Sequence, residues 1–263
     1  MLELQNISKT FFPGTVNERR ALVNLSLRLE KGDFVTVIGS NGAGKSTVLN
    51  AITGRLKIDS GDILIDNVSV RRWPDYKRAR FYGRVFQDPM AGTAPDLTIE
   101  QNLALALQRG KGRGLALGLN SKRRAFFKEE LEALGLGLEN RLSARVGLLS
   151  GGQRQALSLL MAGFTQPSIL LLDEHTAALD PQRAAHVTQL TERIVGESGL
   201  TTLMVTHNME QAIALGNRLI MLHEGQIIHQ LEAEEKKKAT VEDLLERFAN
   251  IKGAVLSDKQ MLG

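Results

Sequence analysis

The chain has 263 residues, 43% of them hydrophobic and 24% charged, with six prolines and no cysteine. This is the composition of a globular protein of one large or two small domains, not of a disordered, collagen-like or low-complexity chain, and it excludes disulfides, thiolate metal sites and cysteine nucleophiles. The net charge of +4 points to anionic partners, whether phosphates, nucleic acid or an anionic membrane face, without choosing among them.

Taken in chain order, Leu2–Ile7 and Ala21–Leu29 alternate in strand-like bursts around the turn-rich Pro13-Gly14-Thr15, which predicts antiparallel sheet. Asp33–Ile38, Gly39–Gly44 and Ser46–Leu56 read as strand, glycine loop and helix. A second antiparallel patch, Gly61–Val70, leads through the charged stretch Arg71–Arg84 to a short strand, Gly83–Phe86, ending at Gln87. Helical apolar spacing governs Ile99–Gln108, Lys122–Leu134 and Gln153–Phe164, so residues 88 to about 160 form a helical insertion. Ser168–Leu172 is apolar without alternation, as expected of a parallel strand covered on both faces. Thr201–Thr206 and Arg218–Leu222 follow as strands. Beyond Gly225 a polar segment containing Glu234–Lys238 precedes an amphipathic stretch, Val241–Phe248, expected to be a terminal helix. No apolar run approaches the roughly 20 residues of a membrane-spanning helix. No basic segment followed by an apolar stretch opens the chain, so a secretory leader is not expected and a cytoplasmic location is.

Gly39-Ser40-Asn41-Gly42-Ala43-Gly44-Lys45-Ser46 carries two glycines bracketing four residues ahead of a lysine and a hydroxyl. Glycines let the backbone turn its N–H groups onto phosphate oxygens, and the following helix adds its positive end. Lys45 can then reach the β and γ phosphates, and the Ser46 hydroxyl can ligate Mg²⁺. Downstream, Ile169-Leu170-Leu171-Leu172 ends in Asp173-Glu174. A carboxylate at the carboxyl end of a buried parallel strand emerges where open α/β sheets bind ligands. Asp173 can hold Mg²⁺ there, and Glu174 can polarise an attacking water as general base.

Leu149-Ser150-Gly151-Gly152-Gln153-Arg154-Gln155 resembles the signature motif of ATP-binding cassette (ABC) proteins. The family's other motifs stand in order around it. Gly39–Thr47 looks like the Walker A loop, Gln87 in Val85-Phe86-Gln87-Asp88-Pro89 the Q-loop and Ile169–Glu174 Walker B. Ala178-Leu179-Asp180 looks like the D-loop, and His207 in Val205-Thr206-His207 the switch histidine. The resemblance covers roughly residues 1–230 and implies an α/β P-loop NTPase. Its parts are a RecA-like parallel-sheet core, an antiparallel β subdomain and a helical signature subdomain at about 88–160, with residues 231–263 left as a polar, helical tail.

The resemblance implies a magnesium-dependent ATPase. Residues Gly39, Ser40, Asn41, Gly42, Ala43, Gly44, Lys45, Ser46 and Thr47 bind nucleotide, Ser46, Gln87 and Asp173 attend the metal, and Glu174, His207 and Gln87 serve catalysis. Ser150, Gly151, Gly152, Gln153 and Asp180 would act in trans on nucleotide held by a second cassette, either a copy of the chain or a paralogue. Phe11 aligns with the family's adenine-stacking aromatic, with Phe12 as the competing candidate. Further expected partners are transmembrane permease subunits at the cytoplasmic face of the membrane and an extracytoplasmic substrate-binding protein. The leading function is solute import, of an amino acid or similar small molecule. The alternatives are an exporter or lipoprotein-extracting cassette, or a soluble ABC ATPase of the cluster-assembly kind.

One residue departs from the family pattern: His175 stands where a proline is common. It is expected to be solvated or bonded to backbone, with a titratable group beside the nucleotide as the alternative. His186, His223 and His229 show no metal-ligand spacing. The basic stretches Arg71-Arg72, Lys77-Arg78-Arg80 and Lys122-Arg123-Arg124 are expected to form a solvated face, with lipid headgroups second and nucleic acid last.

Overall fold

Two sheets carry the strands of the computed structural model, which describes residues 1–112 and 118–250. The smaller is antiparallel, in the order Arg19–Leu29 (β2), Leu2–Phe11 (β1), Ser60–Ile65 (β4) and Val68–Ser69 (β5). The larger runs Gln226–Leu231 (β10), Arg218–His223 (β9), Phe34–Gly39 (β3), Thr202–Val205 (β8), Ile169–Asp173 (β7) and Tyr82–Val85 (β6). All its neighbours are parallel except β10, which lies antiparallel to β9.

β7 shows why its sequence does not alternate. Ile169 and Leu171 enter one core, shared with the antiparallel sheet and with Val48 and Leu49 of the helix Lys45–Thr53 (α1), while Leu170 and Leu172 enter another. That second core is filled from the helical insertion by Leu103 of Ile99–Leu107 (α3), Phe127 of Ser121–Glu132 (α4) and Leu157 of Gly151–Gly163 (α5). Both faces of the strand are therefore covered, and each fully buried aliphatic side chain contributes about 1.5–3 kcal/mol. The expected α/β core, antiparallel subdomain and helical insertion are all present; residues 113–117 of the insertion lie outside the described residues.

α1 ends three residues earlier than its apolar spacing predicts. Gly54 takes a left-handed conformation (φ 80°) and donates its N–H to the Ala51 carbonyl. The guanidinium of Arg78, in the short helix Asp75–Arg78 (α2), then covers the Ala51 and Ile52 carbonyls at 2.8 and 3.1 Å. Arg78 is buried, and Trp73 and Phe81 pack on the core at a ring separation of 5.9 Å. The stretch Lys77-Arg78-Arg80 is therefore not the uniformly solvated face its charge predicts, because one of its cations caps a helix inside the protein.

The other difference lies beyond Gly225, where part of the expected polar segment forms strand β10. Its Leu231 is buried and Ile227 and Ile228 are half-buried, which is enough apolar surface for an edge strand. After it, Ala233–Lys236 forms a short helix whose Lys236 ammonium donates to the Thr36 hydroxyl at 3.2 Å and to the carbonyls of Leu215, Gly216 and Arg218. Burial pushes this lysine down to about 8. Residues 241–250 are helical, as the spacing of Val241–Phe248 predicts, and Leu244 sits fully buried beside Ile38, Ala212 and Met221. Residues 251–263 lie outside the described residues. No helix among the described residues is long and apolar enough to cross a membrane.

Candidate functional site

The loop between β3 and α1 is shaped by glycines that other residues could not replace. Gly42 and Gly44 sit at φ 84° and 104°, in the left-handed region that favours glycine. A Cβ on Gly44 would also come within 2.6 Å of the Ala21 carbonyl oxygen. The start of α1 has no side-chain cap, whereas α3 and α5 are capped by Thr98 and Ser150. Its first amide groups are thus left to an external acceptor at the positive end of the helix, which is the arrangement that binds phosphate. Lys45 is 7% exposed and folds back on the loop, donating to the Gly39 and Ser40 carbonyls at 2.6 and 3.2 Å. Burial pushes its ammonium below the usual lysine range, and the carboxylates of Glu174 and Asp173 pull it back. Ser40, Asn41 and Ser46 are exposed and Thr47 half-buried.

At the carboxyl end of the parallel sheet, Asp173 closes β7 and His207 follows β8. Glu174 adopts φ 44°, unusual for a residue with a side chain, and is held there by its N–H to Val205 O at 2.9 Å. Its Oε2 lies 3.2 Å from His207 Nδ1. A carboxylate and an imidazole thus meet at the end of the sheet where the lysine-bearing loop begins. Asp173 is engaged through Oδ2 by Arg84 at 2.6 Å. Gln87 is exposed, just past the end of β6. The Asp173 carboxylate and Ser46 hydroxyl are hard oxygen donors suited to Mg²⁺. Among the described residues no group of three or more His, Cys, Asp or Glu could hold a metal ion.

Ser150 is the N-cap of α5, accepting from Gln153 N at 3.3 Å while Gln153 Oε1 accepts from Ser150 N at 3.1 Å. The hydroxyl accepts in this pair, which leaves its own proton available to donate. Gly151 and Gly152 form the first turn beside it. Asp180 caps Pro181–Ser198 (α6) and pairs with Arg183 at 3.3 Å. Among the described residues, no hydrogen bond or ion pair joins Ser150, Gly151, Gly152, Gln153 or Asp180 to the loop 39–47 of the same chain. Phe11 is half-buried with the Lys9 ammonium 5.9 Å from its ring centre, and Phe12, at φ 50°, is 66% exposed.

Two residues of the site carried no sequence expectation of their own. Arg84 stands where the charged stretch Arg71–Arg84 meets the predicted strand Gly83–Phe86, and neither reading gives it a partner. Gln155 stood inside the signature without a role; it is buried and donates from Nε2 to Phe86 O at 3.0 Å, tying the signature helix to the entry of the Q-loop. Its one legible signal was a glutamine on the apolar face of a helix.

His175 corrects its expectation. It is neither solvated nor bonded to backbone: it is buried, with Nε2 2.9 Å from the Thr191 hydroxyl of α6. Thr191 donates its own proton to Val187 O at 2.8 Å, so the imidazole donates from Nε2. Burial pushes its pKa down to about 4, away from the neutral range in which it would have tuned turnover. The consequence falls on stability instead. The unfolded chain takes up this proton near the ordinary value of about 6.5, before the folded chain does, so folding loses roughly 3 kcal/mol as pH falls from 6.5 through 4. A His175→Gln variant keeps an N–H donor without titrating. Denaturant unfolding at pH 7.5 and 4.5 is expected to show a smaller acid loss for the variant than for the wild type; parallel losses would contradict it.

A family model described as ABC transporter matches residues 22–177. The chain belongs to that family. The cassette is 47% identical over 94% of its length to a tyrosine transport ATP-binding protein of Clostridioides difficile, of which it covers 98%. It is 33% identical over 88% of its length to the methionine import ATP-binding protein MetN of Haemophilus influenzae, covering 64% of that chain. Among solved structures it superposes, with a TM-score of 0.75 and 32% identity, on the dimeric post-hydrolysis state of the cassette MJ0796 bound to ADP and Pi, over 89% of this chain and 99% of the other. The cassette is an ATPase and the ATP-binding subunit of a transporter.

Proposed function

We propose that this cassette powers bacterial import of an amino acid through a separate transmembrane permease, as half of a head-to-tail dimer with two composite ATP sites. The observation that carries the cargo class is the 47% identity with the tyrosine transport protein across 98% of that relative; the methionine import relative supports the direction. In each site Lys45 and the amides of the loop and of α1 hold the phosphates, and Phe11 stacks on the base. Asp173, Ser46 and Gln87 would hold Mg²⁺, which would supply neutralisation of phosphate charge when bound. Glu174 takes the proton of the attacking water while His207 holds its carboxylate and faces the γ-phosphate. The partner's Ser150 hydroxyl and α5 amides close the site, with Asp180 across the same seam. Binding can drive the permease only through its different affinity for open and closed states. A substrate-binding protein delivers the cargo from outside.

The test is purification of the tagged chain from solubilised membranes, followed by reconstitution of what accompanies it in liposomes. A co-purifying membrane protein, with ATP-dependent tyrosine uptake exceeding that of a panel of other amino acids, is the expected result. A chain that leaves the membrane alone would overturn the transport role. Uptake of another solute class would overturn the cargo.

A further inference from the structure

Arg84 lies on β6, the edge strand of the parallel sheet, yet its side chain is only 6% exposed. Its guanidinium donates through Nη2 to Asp173 Oδ2 at 2.6 Å and through Nη1 to Asn50 Oδ1 at 2.8 Å, and it stacks over Phe86 at 4.7 Å from the ring centre. Nε is buried with no hydrogen-bond partner. Asn50 belongs to the phosphate-loop helix, Asp173 closes β7, and Phe86 immediately precedes Gln87. One cation therefore joins the phosphate loop, the metal carboxylate and the Q-loop. A guanidinium does not give up its proton in a protein, so the charge is permanent.

The charge balance gives this contact a consequence. Asp173 and Glu174 together present two negative charges beside the loop that must receive a triphosphate. Lys45 and Arg19, which donates to Gly42 O at 2.7 Å, put positive charge on the loop itself, and Arg84 is the cation bonded directly to one of the two carboxylates, that of Asp173. We infer that Arg84 is a positioning residue that neutralises Asp173, so that the phosphate chain of ATP binds without waiting for a divalent cation. This rests on the proposed placing of Asp173 and Ser46 at the metal side of the site. Removing a positive charge from such a site repels an anion and attracts a cation, whereas a loss of packing alone weakens both kinds of binding together.

The experiment measures equilibrium binding of a fluorescent ATP analogue in excess EDTA and in excess Mg²⁺, with no turnover readout. Wild type is expected to bind in both conditions. In Arg84→Met, binding in EDTA is expected to weaken at least about tenfold more than binding in Mg²⁺, the size expected when a charge near a partly buried site is removed. Arg84→Lys, which keeps the charge, is expected to retain the wild-type ratio, and adding Asp173→Asn to Arg84→Met is expected to recover the binding lost in EDTA, the arm in which no metal ligand is at stake. An equal loss in both conditions, or no loss, would overturn the inference. Should Arg84→Met not fold, Asp173→Asn alone decides, since it leaves the guanidinium uncompensated and should tighten binding in EDTA; unchanged or weaker binding overturns the inference. A wild-type chain that binds ATP in neither condition would remove the site reading itself and this inference with it, a result distinct from an unchanged ratio.

Discussion

Glu174→Gln is expected to leave ATP binding intact, cut turnover by about 10²–10⁴-fold, and accumulate ATP-bound dimer on size-exclusion chromatography. The loss corresponds to about 3–5 kcal/mol of barrier, the scale set by one positioned general base. The substitution is informative because so little else should change. Glutamine has the shape of glutamate, and the backbone that aims the side chain is held independently by Glu174 N to Val205 O and by Ala177 N to Glu174 O, each 2.9 Å. These two bonds maintain the left-handed backbone at φ 44°, a conformation that costs on the order of 1–3 kcal/mol unless its surroundings enforce it. The amide oxygen can still accept from His207 Nδ1 across the 3.2 Å gap. What disappears is the capacity to take a proton from water. ATP binding should survive because Lys45 and the amides of α1 are untouched. Binding and turnover are to be measured on the same preparation by nucleotide titration and phosphate release; turnover equal to wild type would strip Glu174 of the general-base role.

The parts of this protein that could be read from sequence are those in which local chemistry and position coincide. The phosphate loop is one, because glycines at 42 and 44 are required by the backbone and the next residues open a helix. β7 is another, since four consecutive apolar residues without alternation fit a strand covered on both faces. Contacts between distant segments were less legible. Arg78 was counted with its charged neighbours, although its partners are carbonyls at Ala51 and Ile52, and Arg84 was concealed likewise, although its partner Asp173 lies far along the chain. A cation's sequence neighbours do not reveal whether it faces water or a carboxylate. His175 differs for a related reason: a polar residue in place of proline at a strand exit reads as solvated or backbone-bonded, whereas its decisive neighbour is Thr191, sixteen residues along the chain on α6. β10 was missed because an edge strand needs little apolar surface, so Gln226–Leu231 looked polar.

Mixing two inactive variants is expected to restore activity if the composite sites are built across a dimer. Lys45→Met removes the ammonium from the phosphate loop. Ser150→Asp keeps a good N-cap on α5, since aspartate caps as well as serine, and sets a carboxylate against the γ-phosphate expected there. Each variant alone should hydrolyse ATP at a small fraction of the wild-type rate, because every site in either homodimer carries a defect. In the mixed dimer one site combines intact Lys45 from the Ser150→Asp chain with intact Ser150 from the Lys45→Met chain, while the other site carries both defects. Random pairing makes half of the dimers mixed, so the mixture should reach about a quarter of wild-type turnover where the two sites work independently. The structure motivates the test in two ways: the signature residues make no hydrogen bond or ion pair to the loop 39–47 of their own chain among the described residues, and the Ser150 hydroxyl already accepts from Gln153 N while its proton stays free. Two different affinity tags and tandem purification establish that mixed dimers formed. Turnover no greater than the average of the two variants, with mixed dimers in hand, would rule out the head-to-tail arrangement and leave each chain to complete its own site.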